Sequence, residues 1–119
     1  MAETTKKTIS VASRKSKARL LQQLVRDKIL DAFPRLEPDD VKSTSMGASG
    51  MDVQLSPAAK RWFPYATECK SRASVGVYAW YQQAKTNAPK DMEPLLVIKQ
   101  NHSKPLVVID LDAFMELVR

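Results

Sequence analysis

The stretch YATECKSR, Tyr65 to Arg72, has the length and flanks of a buried β-strand, yet it places Glu68 and Lys70 two residues apart near its end. Successive side chains of a strand point to opposite faces, so Glu68 and Lys70 share one face while Thr67 and Cys69 point the other way. Two opposite charges on one side of a sheet are either a surface ion pair or part of a site. Glu-x-Lys arises by chance in a chain with 27% charged residues, so its neighbours have to decide.

The pattern on either side of this strand sets the architecture. From about Arg14 to Phe33, Leu20, Leu21, Leu24, Val25, Ile29 and Ala32 recur at helical spacing, and the pattern stops at Pro34. Extended segments on either side of the MGA turn, with glycines at 47 and 50, predict a β-hairpin. In its second strand Met51, Val53 and Leu55 alternate with Asp52 and Gln54, which sends the apolar set to the core and Asp52 to the other side. PAAKRWFP reads as irregular or one helical turn. Ala73 to about Thr86 reads as a helix with Val77, Trp80, Tyr81 and Ala84 inward. PLLVIKQ and KPLVVID read as strands joined by the turn NHS, and LDAFMELV as a closing helix. The predicted order is α-β-β-β-α-β-β-α, an α/β fold in which the helix between the third and fourth strands implies a parallel crossover in a mixed sheet.

Length and composition bound the function. A chain of 119 residues, 44% apolar, holds one domain's worth of core. Its net charge of +6 favours polyanionic partners. Residues 1–13 form a polar arm that continues into SRKSKAR, and six of the basic residues against Glu3 fall between Met1 and Arg19. A solubilising tail and a flexible, DNA-contacting arm both fit that composition. With Cys69 as the only cysteine, no signal peptide pattern and no long apolar run, a cytoplasmic protein without a membrane role is expected. One cysteine and one histidine, His102, exclude a tetrahedral structural zinc site, and His102 reads as a turn residue.

The predicted order supplies a partner for Glu68. Asp52, on the polar face of the strand before, can converge with Glu68 and Lys70 at one end of the sheet. Two carboxylates and the backbone carbonyl of Cys69 make a hard oxygen site of the kind Mg²⁺ accepts, with Lys70 placed to polarise a water or steady a phosphate. That is the chemistry of phosphodiester hydrolysis.

SGMDVQLSP followed by YATECKSR, with a helix before and a helix containing YQQA after, resembles the PD-(D/E)XK nuclease superfamily. VKSTSMGASGMDVQLSPAAKRWFPY and PLLVIKQNHSKPLVVIDLDAFMELV are similar to phage-encoded Holliday-junction-resolvase-like endonucleases. The resemblance implies a restriction-endonuclease-like core over residues 14–119, a single nuclease domain with a central mixed sheet flanked by helices. It implies Asp52, Glu68 and Lys70 as catalytic residues, Asp52, Glu68 and the Cys69 carbonyl as metal ligands, and Mg²⁺ as cofactor with Mn²⁺ as a substitute. Branched or four-way DNA is the implied substrate, in the host cytoplasm, with a homodimer making two symmetric cuts. A general or restriction-like duplex nuclease and a non-catalytic DNA-binding module are the alternatives.

Two departures accompany it. Met51 stands where the family usually has proline, and no glutamate lies between Glu3 and Glu37, so Gln22 or Gln23 is the candidate substitute for a first-helix glutamate. Gln83, one turn past Trp80, is a candidate supporting residue or a solvated helix position. Arg14, Lys15, Lys17, Arg19, Ser43, Thr44, Ser45 and Arg72 are candidate DNA contacts, with ordinary turn chemistry the competing reading for the three hydroxyls. Trp62 and Phe63 read as a core plug before Pro64 rather than a base-stacking pair. Cys69 reads as a core thiol.

Overall fold

A 22-residue helix opens the structure because nothing between Val11 and Ala32 interrupts it, and Pro34 then ends it. The computed structural model describes residues 11–44, 50–72 and 76–119. Residues 1–10 of the predicted arm, the predicted turn at 45–49 and the start of the second predicted helix at 73–75 lie outside the described residues, while residues 11–13 of that arm are helical. The helix, α1, begins three residues before the predicted start. A 3-10 turn at Pro38–Asp40 leads into β1 (Val41–Ser43), then β2 (Val53–Leu55), α2 (Pro57–Trp62) and β3 (Tyr65–Arg72). After these come α3 (Val77–Asn87), β4 (Glu93–Gln100), β5 (Leu106–Val108) and α4 (Leu111–Val118). Helices thus flank a mixed sheet in an α/β fold.

PAAKRWFP, left open between irregular chain and one helical turn, forms α2. Ser56 caps it, accepting from the Ala59 N–H at 3.1 Å, and Pro57 at the first helical position lacks the N–H that would go unpaired. The Ser56 hydroxyl also donates to Asp40 Oδ1 at 2.7 Å, tying the start of α2 to the turn before β1.

β1 and β2 pair antiparallel, Lys42 opposite Gln54, in a two-stranded ladder of their own. β3 and β4 pair in parallel over eight residues, with Glu68 opposite Leu96 and Cys69 opposite Val97, and β5 closes the edge antiparallel to β4. A parallel pair needs a crossover, and α3 supplies it. The two ladders meet at Asp52, whose N–H donates to the Thr67 carbonyl of β3 at 2.9 Å while its own carbonyl accepts from Thr44 N–H.

Cys69 and Val97 face a core shared with Leu21 and Ile29 of α1, Leu36, Val41, Val53 and Ala59. The α1 stripe is narrower than its periodicity predicts. Leu21 and Ile29 are buried and Val25 half-buried, whereas Leu20, Leu24 and Ala32 are exposed and Gln22 takes a buried position instead. β3 and β1 cover only one side of α1, which leaves half of the apolar pattern exposed. Phe63 packs against the core and edge-on to Tyr65. Trp62 leans on Phe33 with ring centroids 5.8 Å apart but stays half exposed, so only Phe63 plugs the core. In α3 Ala84 is buried, with Val77, Trp80 and Tyr81 half-buried. His102 occupies the β4–β5 turn with φ 62°, a left-handed conformation suited to a turn. Among the described residues, no helix is long and apolar enough to cross a membrane.

Leu96 is fully buried in the middle strand of the mixed sheet. Leu96→Ala should lower unfolding free energy by about 2–5 kcal/mol, and Tyr78→Ala, at a site 93% exposed, by less than about 0.5 kcal/mol. Urea titrations of the two variants check the difference.

Candidate active site

The site begins from the backbone of β3. Within a strand, the N–H and C=O of one residue point to the same edge, and the edge alternates along the chain. The Thr67 carbonyl faces β2, since it accepts from Asp52, so the N–H and C=O of Cys69, two residues on, face β2 as well. The Cys69 N–H donates to Asp52 Oδ2 at 2.8 Å. Asp52 is therefore held to β3 twice, by its backbone N–H and by its carboxylate, and the Cys69 carbonyl lies on the same edge.

Glu68 and Lys70 project from the β3 face opposite to Cys69, as the alternation requires. Glu68 is only 4% exposed. Lys70 Nζ stands 3.6 Å from Glu68 Oε2, and Asn87 Nδ2, at the last turn of α3, donates to Glu68 Oε1 at 3.3 Å. The two Glu68 oxygens thus have different neighbours, one amide and one ammonium. Such an arrangement restricts the carboxylate's rotation.

Burial raises the Asp52 carboxyl above its ordinary value, against the pull of the Cys69 N–H and the Lys70 charge. Burial also raises Glu68, and the nearby Asp52 charge raises it further, against Asn87 and Lys70. The two carboxylates repel one another, and a cation between them would offset the repulsion. The thiol of Cys69 is pushed up by burial and by both carboxylates, which keeps it protonated and inert, as a core thiol should be.

The donor set fits a hard divalent cation: two carboxylates and a backbone carbonyl, with remaining positions left to water. Among the described residues no three His, Cys, Asp or Glu side chains gather into a metal-binding group. Gln22 is the one first-helix candidate turned inward. It is buried, and its Oε1 accepts from the Ser43 hydroxyl at 2.9 Å, joining α1 to the end of β1. Gln23 and Gln83 are exposed. Thr44 donates to the Met51 carbonyl at 2.6 Å and closes the base of the hairpin, which is turn chemistry. Ser45 lies outside the described residues. Arg14, Lys15 and Arg19 are exposed along α1, Lys17 donates to Asn101 Oδ1 at 3.0 Å, and Arg72 is half-exposed at the end of β3. Asn87 does not stand out in the sequence. Its signal there is weak: one amide at the end of a helix, nineteen residues from the glutamate it contacts.

No family model, curated protein or solved structure matches the chain.

Asp52 and Glu68 should titrate above the ordinary 3.8 and 4.5 in carboxyl-carbon NMR experiments. Asp52→Asn should bring the Glu68 midpoint down. In the native protein these groups hold protons at pH values where the unfolded chain has released them. Their contribution to stability therefore falls as pH rises from the ordinary values through the raised ones. Urea titrations between those limits should show a shallower fall for Asp52→Asn than for the parent chain.

Proposed function

We propose that this chain is a metal-dependent endonuclease that hydrolyses phosphodiester bonds in DNA, acting on branched substrates such as the four-way junction in phage replication or recombination. The observation that supports the chemistry is the Asp52 carboxylate bound to the Cys69 N–H, between Glu68 and Lys70, with the Asp52 charge raising Glu68 and the Lys70 charge pulling both carboxyls down. Asp52, Glu68 and the Cys69 carbonyl would hold Mg²⁺, or Mn²⁺ in its place. A cation held there acts as a Lewis acid and lowers the pKa of bound water.

The side chains do the rest. Lys70 carries a positive charge next to Glu68, where it can orient the attacking water and offset negative charge growing on the phosphate. Asn87 is a positioning residue that holds one Glu68 oxygen and leaves the other beside Lys70. Arg14, Lys15 and Arg19 offer exposed cations along α1 for the DNA backbone. The four-way junction as substrate rests on the resemblance of the sequence to junction-resolving endonucleases, and the hydrolytic step on the geometry.

A non-catalytic DNA-binding module would use the same basic surface. It would have no need of a buried and a half-buried carboxylate with raised proton affinity beside a lysine. Such groups cost stability and cluster at functional sites, which favours the enzyme.

Mg²⁺-dependent cleavage of a labelled four-way junction, compared with a linear duplex of matching sequence, tests the reading. Asp52→Asn and Lys70→Ala should each lower cleavage by at least about 100-fold while junction binding in Ca²⁺ persists. Folded variants that cut as fast as the parent would refute the site. Replacing Arg14, Lys15 and Arg19 by Ala should weaken binding to all DNA sequences and flatten its salt dependence by roughly one unit of slope for each phosphate no longer neutralised.

A further inference from the structure

Open α/β sheets place their ligand crevices outside the carboxyl ends of parallel strands. At that end of β3 and β4, between the sheet and α1, lies a cleft of about 440 Å³, within the size range of small-molecule sites. Lys17, Leu20 and Leu24 fall at i, i+3 and i+7 on α1 and line one side. Ser71 of β3 and Lys99 of β4, paired in register, line the sheet side, and Asn101 and His102 the turn between β4 and β5. Ser71 follows Lys70 in the chain and points to the opposite face, so the cleft lies across the sheet from Glu68 and Lys70.

The lining combines an uncompensated charge with an uncovered apolar wall. Two lysines border the cleft and, among the described residues, no acid does. Lys17 Nζ donates to Asn101 Oδ1 at 3.0 Å, so a neutral acceptor fixes the ammonium in place and leaves its charge unpaired. Leu20 and Leu24, 66% and 38% exposed, belong to the half of the α1 pattern that β3 and β1 leave bare. An anion with a flat apolar body answers both features.

We propose that this cleft binds one nucleotide, its phosphate held by Lys17 and Lys99 and its base laid against Leu20 and Leu24. A bare inorganic anion would satisfy the lysines and leave the leucines in water. An alkyl chain would cover the leucines, but it would offer nothing to the Ser71 hydroxyl, on a residue 6% exposed, or to the Asn101 amino group, and polar groups desolvated without a partner are costly. A base has apolar faces and a polar edge, so it covers the wall and presents hydrogen-bonding groups to Asn101 and Ser71 together. His102 adds a planar ring of the kind that stacks on bases.

A base already paired and stacked in a duplex cannot enter such a cleft. The proposal rests on the nuclease reading only for the source of the nucleotide. On that reading it is an unpaired nucleotide at the branch of the DNA, led round the end of β3 from a phosphate beside Lys70. A free nucleoside monophosphate presents the same chemistry.

Titrations of the full chain in EDTA, followed by amide NMR shifts, read binding without metal or cleavage. dAMP should bind at least about tenfold more tightly than inorganic phosphate, the worth of one base against an apolar wall, and should shift Ser71, Lys99, Asn101 and His102. Lys99→Gln should weaken both ligands, whereas Leu20→Ser, at an exposed position, should weaken dAMP alone. Far-ultraviolet dichroism checks that both variants stay folded. A four-way junction with one unpaired nucleotide at its branch should bind more tightly than the fully paired junction, and the difference should vanish in Leu20→Ser. dAMP binding without that difference assigns the cleft to a free nucleotide. Phosphate or octyl phosphate binding as tightly as dAMP would overturn the proposal, and so would shifts confined to the surroundings of Asp52 and Glu68 or a dAMP affinity unchanged in both variants. A chain that binds dAMP in the cleft but cuts no DNA refutes the nuclease reading alone.

Discussion

The structure hinges on the double attachment of Asp52 to β3. Its N–H donates to the Thr67 carbonyl, and its carboxylate accepts from the Cys69 N–H at 2.8 Å. Without the first bond, β1 and β2 are a hairpin of three residues a side, and such a hairpin is marginal by itself in water. The second bond draws a carboxylate in among partly buried groups and fixes where its charge sits. One residue thus joins the two ladders and brings the second acid to Glu68.

That arrangement has an electrostatic cost. Burial and mutual repulsion raise the proton affinity of both carboxylates, and Lys70 together with the amide of Asn87 offsets only part of it. Breaking a buried, hydrogen-bonded charge cluster leaves an unpaired charge, so removing one member harms more than the intact cluster helps. A cation between Asp52 and Glu68 would cancel the repulsion. This links the geometry to the chemistry proposed for it: the site is least comfortable as a set of bare side chains.

The alternation of β3 divides labour between the two faces of the sheet. Cys69 joins Leu21, Ile29 and Val53 in the core, while Glu68 meets Lys70 and Asn87 on the other face. A one-residue slip in the pairing of β3 with β4 would exchange these faces and bury Lys70 against α1, so the eight-residue parallel register protects core and site together. The buried hydrogen bond between Gln22 and Ser43 plays a similar part for α1, holding a polar side chain in a position that the apolar pattern assigned to its neighbours.

Local patterns in the sequence determined much of this. The spacing of Glu68 and Lys70, the alternation around Cys69, the helix ending at Pro34 and the parallel crossover through α3 follow from period and from proline, which act over a few residues. The turn character of His102 was legible for the same reason. Only the tertiary structure decided which half of the α1 pattern is covered, because that depends on which side of the helix meets β3 and β1: Leu20 and Leu24 stay exposed while Gln22 goes in. It also decided between Gln22 and Gln23, joined Asn87 to Glu68, and left the apolar side chains of α4 exposed. These outcomes rest on contacts between residues far apart in the chain, where periodicity gives a face its character but not its partner.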